Sequence, residues 1–188
     1  MLTQSGSQTV GPFFRKAMER PAWSDLTSAD TPGERIRIGG RVLDGDGQPV
    51  PDAWLEIWQA NAIGKYAHPD DTQAKSVDPN FRGFGRACTD ESGTFAFTTV
   101  RPGSVPMPDG TPQAPHISLT IFARGLLKRL ATRIYFADCD AANASDPIYA
   151  GIADRSARET LLARSQAPGE FVFDVILQGT GETTFFSF

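Results

Sequence analysis

The sequence predicts an all-β fold, an antiparallel β-sandwich with an N-terminal arm and one short helix. Three observations predict it. Clusters of Gly, Pro and Asp punctuate residues 35–122 at short intervals, and apolar and polar residues alternate between them. The same alternation returns near the C-terminus at Phe171, Phe173, Val175 and Leu177, with Asp174 on the opposite side. Successive strand side chains point to opposite faces, so a period of two marks strands with one buried face.

The elements follow in chain order. Ser5 to Pro32 carries Gly11-Pro12, Pro21 and Pro32 with little periodicity, and reads as an arm that takes its order from neighbouring surfaces. Residues 1–34 are assigned to this arm and to assembly, within a single domain covering 1–188. Ile36, Ile38 and Val42 lead into the turn Asp44-Gly45-Asp46-Gly47, and Ala53 to Trp58 reads as the next strand. Asp90-Glu91-Ser92-Gly93 is another turn, after which Phe95 and Phe97 share one face. Ser156-Ala157-Arg158-Glu159 has capping-box spacing, and the residues after it extend a helix that ends before Pro168. Trp54, Trp58, Phe95, Phe97, Phe171 and Phe173 are read as core packing.

Composition narrows the function. A chain of 188 residues can bury an apolar core without disulfides or metals. A formal net charge of −4 and a pI near 5.2 argue against a nucleic-acid footprint, which needs basic residues to displace counterions. Small molecules or protein partners are expected instead. Cys88 and Cys139 are too few for a disulfide framework, although one bridge between them stays open, and neither has a neighbouring histidine or CxxC spacing to activate it. No apolar stretch approaches bilayer length and the start has no secretory pattern, so a cytoplasmic protein with no membrane contact is expected.

Motifs in a fixed order carry the chemistry. They are Ser7 to Phe14 in the arm; Glu56-Ile57-Trp58-Gln59-Ala60-Asn61 through Gly64-Lys65-Tyr66 and His68; Asp78 to Gly83 with Thr89-Asp90 and Gly93; and Arg101-Pro102-Gly103 followed by Pro115-His116-Ile117. Together they resemble the intradiol ring-cleavage dioxygenase family, and within it the two-chain enzymes that act on 3,4-dihydroxybenzoate. A transthyretin-like likeness covers only Arg41 to Trp58.

The resemblance implies a non-haem ferric ion held by two tyrosinates and two histidines, hard donors that suit a trivalent metal. The first tyrosine falls on Tyr66. The second falls on Val105, and the His-x-His pair falls on His116 and Ser118. A valine cannot coordinate iron and a neutral hydroxyl is a poor substitute for imidazole. Gln113 stands where catalytic chains have an arginine that stabilises charge on the substrate. The chain has two histidines, and the second, His68, lies in the loop after Tyr66. The implication is that this chain binds no metal and holds no catalytic residue, and that Fe(3+) resides in a beta chain of the same fold.

The partners implied are therefore that beta subunit, with 3,4-dihydroxybenzoate and dioxygen at a shared cleft, in a higher-order oligomer of alpha–beta protomers. The reaction implied is intradiol cleavage to 3-carboxy-cis,cis-muconate, in aromatic catabolism by the beta-ketoadipate pathway. Thr9, Gly11, Pro12 and Arg133 match positions that face the substrate in alpha chains. Glycine lets backbone approach a planar ring, proline fixes the direction, and a guanidinium forks onto a carboxylate.

Plainer readings stand beside these. Tyr66 alone is a loop tyrosine, His116 a satisfied core histidine, Gly11-Pro12 a simple turn, and Arg133 half of a surface ion pair. Two other functions also remain. One is a self-sufficient catalytic intradiol dioxygenase whose missing ligands come from elsewhere, and the other is a non-catalytic β-sandwich binding module.

Overall fold

The segment read as an arm contains the first helix. In the computed structural model, which describes residues 5–187, α1 spans Pro12–Met18, with Gly11 as its N-cap and proline in its first turn, where a missing N–H costs nothing. No helix was expected there, because the segment shows little periodicity, and seven residues are too few to be helical alone. Tertiary contact supplies the stability: the Phe14 ring meets Trp54 edge-on at 5.5 Å, and Arg15 pairs with Asp52. The later half of the arm is built into the sandwich. After a 3-10 turn at Pro21–Trp23, Asp25 bridges to Thr98 and Leu26 is buried in the core.

The strands follow as β1 (Arg35–Leu43), β2 (Trp54–Trp58), β3 (Phe84–Cys88), β4 (Thr94–Val100), the small hairpin β5 (Val105–Pro106) and β6 (Pro112–Gln113), β7 (His116–Phe122) and β8 (Leu130–Phe136). Three helices, α2 (Asp140–Ser145), α3 (Pro147–Ala150) and α4 (Arg155–Glu159), lead to β9 (Leu162–Ala167), β10 (Glu170–Val172) and β11 (Val175–Ile176). One sheet runs β4-β1-β10-β9 and the other β3-β2-β7-β8, with β9 pairing to both β10 and β8. Their inner faces enclose the core, with Ile36, Ile38, Phe95 and Phe97 from one sheet and Leu55, Ile57, Leu119 and Ile134 from the other. Most pairings are antiparallel, as the turns require. The pairings of β1 with β10 and β11, and of β8 with β9, are parallel.

Three expectations need correction. The helix begins at an Asp154 N-cap, whose carboxylate accepts from the Ser156 amide at 2.8 Å, and it stops at Glu159. Glu159 pairs with Arg155 rather than closing a capping box, and Leu162–Ala167 is strand, because its outlying residues pair with β8 and β10. The strand read through Phe171 to Leu177 is broken at Phe173-Asp174, where Asp174 accepts the Arg41 amide at 2.8 Å. Gly40 permits that bend: a Cβ there would lie 2.0 Å from the Phe173 carbonyl oxygen.

Finally, Trp54 is buried as expected, but it and the half-buried Trp58 lie outside the cluster between the sheets. They share the outer face of β2, while Leu55 and Ile57 point inward. Phe14 covers Trp54, and Tyr66 covers Trp58. Both cysteines are free and half-buried.

Candidate functional site

The loop after β2 is wound tightly around Asn61. The Asn61 side-chain carbonyl accepts from the Lys65 and Ile63 amides at 2.9 and 3.2 Å, and closes the turn that presents Tyr66. Gly64 is obligatory there, since its φ is +78° and a Cβ would lie 1.9 Å from the Ser104 carbonyl. The Lys65 ammonium is 6% exposed and reaches Asp71 Oδ1 at 3.1 Å, while Asp71 Oδ2 accepts the Tyr66 amide at 2.8 Å. Burial pushes the Asp71 carboxyl up, but hydrogen bonds from the Tyr66 and Gln73 amides and from the Lys65 and Gln73 side chains outweigh it, holding it at about 2. Lys65 and Asp71 are thus a paired anchor for Tyr66; the sequence motif included Lys65, but neither its anchoring role nor Asp71 was read from it.

The Tyr66 ring stacks on Trp58 at 5.7 Å and 10°. Together they floor an open cleft of about 720 Å³, walled by Val105, Pro106 and Met107 with His68 at Trp58's edge. Burial raises the Tyr66 pKa, with Arg133 opposing and Asp71 assisting, so the ring carries a neutral phenol at pH 7.

Strand register brings the other positions to the same face. Ser118 pairs with Trp58 on one side and Arg133 on the other, and His116 pairs with Tyr135. Val105 pairs with Gln113 across the β5–β6 hairpin. His116 is 4% exposed, and its Nδ1 donates to the Ala114 carbonyl at 2.8 Å, which leaves Nε2 unprotonated. Burial first, and the Arg133 charge second, depress its pKa to about 4, so it is a neutral imidazole.

Arg133 stands at the centre of this group. Its Nη1 donates to Gln113 Oε1 at 2.8 Å and reaches the Tyr135 hydroxyl at 3.4 Å; that hydroxyl in turn donates to the buried Asp146 at 3.3 Å. Among the described residues, none of Arg133's hydrogen-bond partners is a carboxylate. The reading of Arg133 as half of a surface ion pair is therefore set aside. Tyr135 and Asp146 were not singled out by sequence, although Tyr135 lies on the same strand face as Arg133.

The arm residues lie elsewhere. Thr9 Oγ1 accepts the Gly125 amide at 2.8 Å and contacts the Ala123 carbonyl at 3.4 Å, at the β7–β8 turn and away from Ser118. Gly11 has a φ of −93°, which any residue adopts, and open space where a Cβ would stand. Pro12 begins α1. Within this chain, then, Thr9, Gly11 and Pro12 are not brought together with Arg133.

A family model described as a dioxygenase matches residues 10–179, which takes in the whole of this outer-face cluster. The chain belongs to the dioxygenase family. Among similar dioxygenase chains is the protocatechuate 3,4-dioxygenase alpha chain of Pseudomonas putida, 39% identical over all of this chain and 98% of its own length. The alpha chain from Burkholderia cepacia is 40% identical over 98% of each chain. The beta chain from B. cepacia is also 40% identical, over 95% of this chain and 77% of its own. Of solved structures, the dioxygenase domain of a Streptomyces carbohydrate-binding fusion matches with a TM-score of 0.60 at 26% identity, covering 94% of this chain and 96% of the domain. The 3-chlorocatechol 1,2-dioxygenase of Rhodococcus opacus shares the fold, with a TM-score of 0.64 over 81% of this chain and 62% of that one.

On this dioxygenase frame, the donor set can be tested against the ferric ion that the resemblance implies. The converging positions offer a neutral phenol at Tyr66, an imidazole at His116, a hydroxyl at Ser118 and an alkyl group at Val105, with the Arg133 cation beside them. Such a set does not fit a trivalent ion. Val105 offers no donor, Ser118 only a neutral hydroxyl, and a fixed positive charge repels the metal.

Proposed function

We propose that this chain is the alpha subunit of a protocatechuate 3,4-dioxygenase: it holds no iron and completes the substrate cleft of an iron-bearing beta chain. The single observation that carries the reading is the Arg133 guanidinium among degenerate ligand positions on a dioxygenase frame. Near full-length similarity to alpha chains supports it, and similarity to a beta chain supports pairing between chains of one fold. The partner's iron supplies the redox chemistry on the catechol and dioxygen. This chain's part is to bind and orient.

In that role Arg133 uses Nε and Nη2, which have no hydrogen-bond partner among the described residues, to take the carboxylate of 3,4-dihydroxybenzoate. Thr9, Gly11 and Pro12 sit on a separate surface of this chain, so they reach a substrate only if assembly brings a second chain against the arm. The exposed face at Gly11 suits such close approach. Reduced cysteines are in keeping with a cytoplasmic setting, and among the described residues no helix is long and apolar enough to cross a membrane. A single domain over 1–188, with 1–34 serving assembly, is part of the same reading.

The experiment is co-expression with the beta chain and kinetics on two substrates. Arg133→Ala should leave assembly and iron content intact and lower kcat/KM for 3,4-dihydroxybenzoate roughly 10- to 150-fold, mainly through KM, the worth of a charge-assisted hydrogen bond. Catechol, which lacks the carboxylate, should change far less. Equal losses on both substrates would remove Arg133 from substrate binding. Failure to assemble with any iron-bearing chain would favour the binding-module alternative.

A further inference from the structure

Gln113 stands where the resemblance places an arginine, and in this chain it has acquired a partner. We infer that Gln113, seconded by Tyr135, is a positioning residue that fixes the Arg133 guanidinium and so sets the preference for carboxylate-bearing aromatic substrates. This rests on the reading of Arg133 given above.

The geometry is directional. Gln113 Nε2 faces the Pro106 carbonyl at 3.4 Å, which turns Oε1 toward Arg133 Nη1 at 2.8 Å. The Ser104 hydroxyl donates to the Gln113 backbone carbonyl, pinning the hairpin that carries it. Tyr135 is fully buried, and its hydroxyl proton is committed to Asp146 at 3.3 Å, so only lone pairs face Arg133. Asp146 cannot swing away, because its carboxylate also accepts the Ile148 and Tyr149 amides at 2.8 and 3.0 Å and the Ala114 amide at 2.8 Å.

Both acceptors that touch Arg133 are neutral. A carboxylate in either place would hold the guanidinium equally well, but it would cancel the charge that a ligand carboxylate needs. Neutral acceptors restrict the side chain and leave the charge available. The same contact gives glutamine a role at this position that an arginine could not fill. An arginine at 113 would set two guanidiniums against each other with no acceptor between them, so restoring the family's arginine there would expel Arg133.

The test uses the assembled alpha–beta enzyme with Q113L, Q113E, Y135F and R133A variants, on 3,4-dihydroxybenzoate and catechol. Q113L should raise KM for 3,4-dihydroxybenzoate about 5- to 10-fold with kcat within about twofold, and the ratio of the two substrates' kcat/KM should fall by about fivefold. Q113E should lose that ratio as well, although it still accepts from Nη1. Y135F should shift it in the same direction by less, and it keeps the question answerable if Q113L fails to fold. In the R133A background, Q113L should produce no further change in the ratio. Retained selectivity in Q113L and Y135F, equal losses on both substrates, or additivity with R133A would each overturn the inference. If R133A itself leaves the ratio unchanged, the reading of Arg133 fails and this one falls with it; if R133A lowers the ratio and Q113L and Y135F do not, only the positioning role fails.

Discussion

The two faces of the β3-β2-β7-β8 sheet answer to different demands. On β7 the inward residues Ile117, Leu119 and Ile121 are wholly buried against the opposing sheet, while His116, Ser118, Thr120 and Phe122 point outward. The inner face needs only apolar volume packed to high density. The outer face instead gathers polar and aromatic side chains around Arg133, with Gln113, Ser118 and Tyr135 among them. Aromatic stacking on Trp58, strand register and the Lys65–Asp71 anchor hold its shape, and none of these requires a metal.

If the faces differ as described, the largest loss of stability should come from the inner one. Leu119→Ala should cost about 2–5 kcal/mol, read by denaturant unfolding, through lost burial and the cavity left behind. Ser118→Ala, one residue away on the outer face, should cost less than about 1 kcal/mol. A comparable cost at Ser118 would mean that the outer pocket is structural.

Acid should sharpen the contrast through His116. The groups that face it are Arg133 from β8, which favours the neutral ring, and Asp146 at the start of α3, which opposes. Its folded pKa of about 4 lies below the ordinary value of 6.5, so the unfolded chain binds the proton first. The contribution is fully present above pH 6.5 and is lost as pH falls toward about 4, amounting to at most about 3 kcal/mol. His116→Asn should flatten stability across that window. An unchanged slope would show that His116 is accessible to protons in the fold.

A smaller effect separates the halves of the arm. Deleting residues 1–14 uncovers Trp54 and should cost about 1–2 kcal/mol, while weakening assembly or substrate affinity more. Leu26→Ala, in the half built into the core, should cost about 2–5 kcal/mol. Equal costs would place the first half of the arm in the core as well.

Much of this was legible in the sequence, for physical reasons that differ by residue. Alternation through Ile36 and Ile38, and at Phe95 and Phe97, gave strands and their buried face. It was ambiguous at Trp54-Leu55-Glu56-Ile57-Trp58, where both faces carry large apolar side chains and periodicity alone cannot say which one meets the opposing sheet. Parallel pairing of β1 with β10 is equally invisible, since it depends on residues far apart in sequence. Motif order led to Tyr66, His116, Ser118 and Arg133, which the strand registers and the Tyr66–Trp58 stack place on one outer face. The contact of Gln113 with Arg133 was not legible, because it follows from the registers of β5–β6 and β7–β8 together.

The most direct test of the account is the ferric iron content of the isolated chain, measured with its visible absorption after growth in ample iron. The account predicts far less than one iron per chain and no tyrosinate charge-transfer band, because Val105 and Ser118 offer no strong donor and the Arg133 cation stands beside them. One tightly held ferric ion per chain, together with that colour, would contradict it.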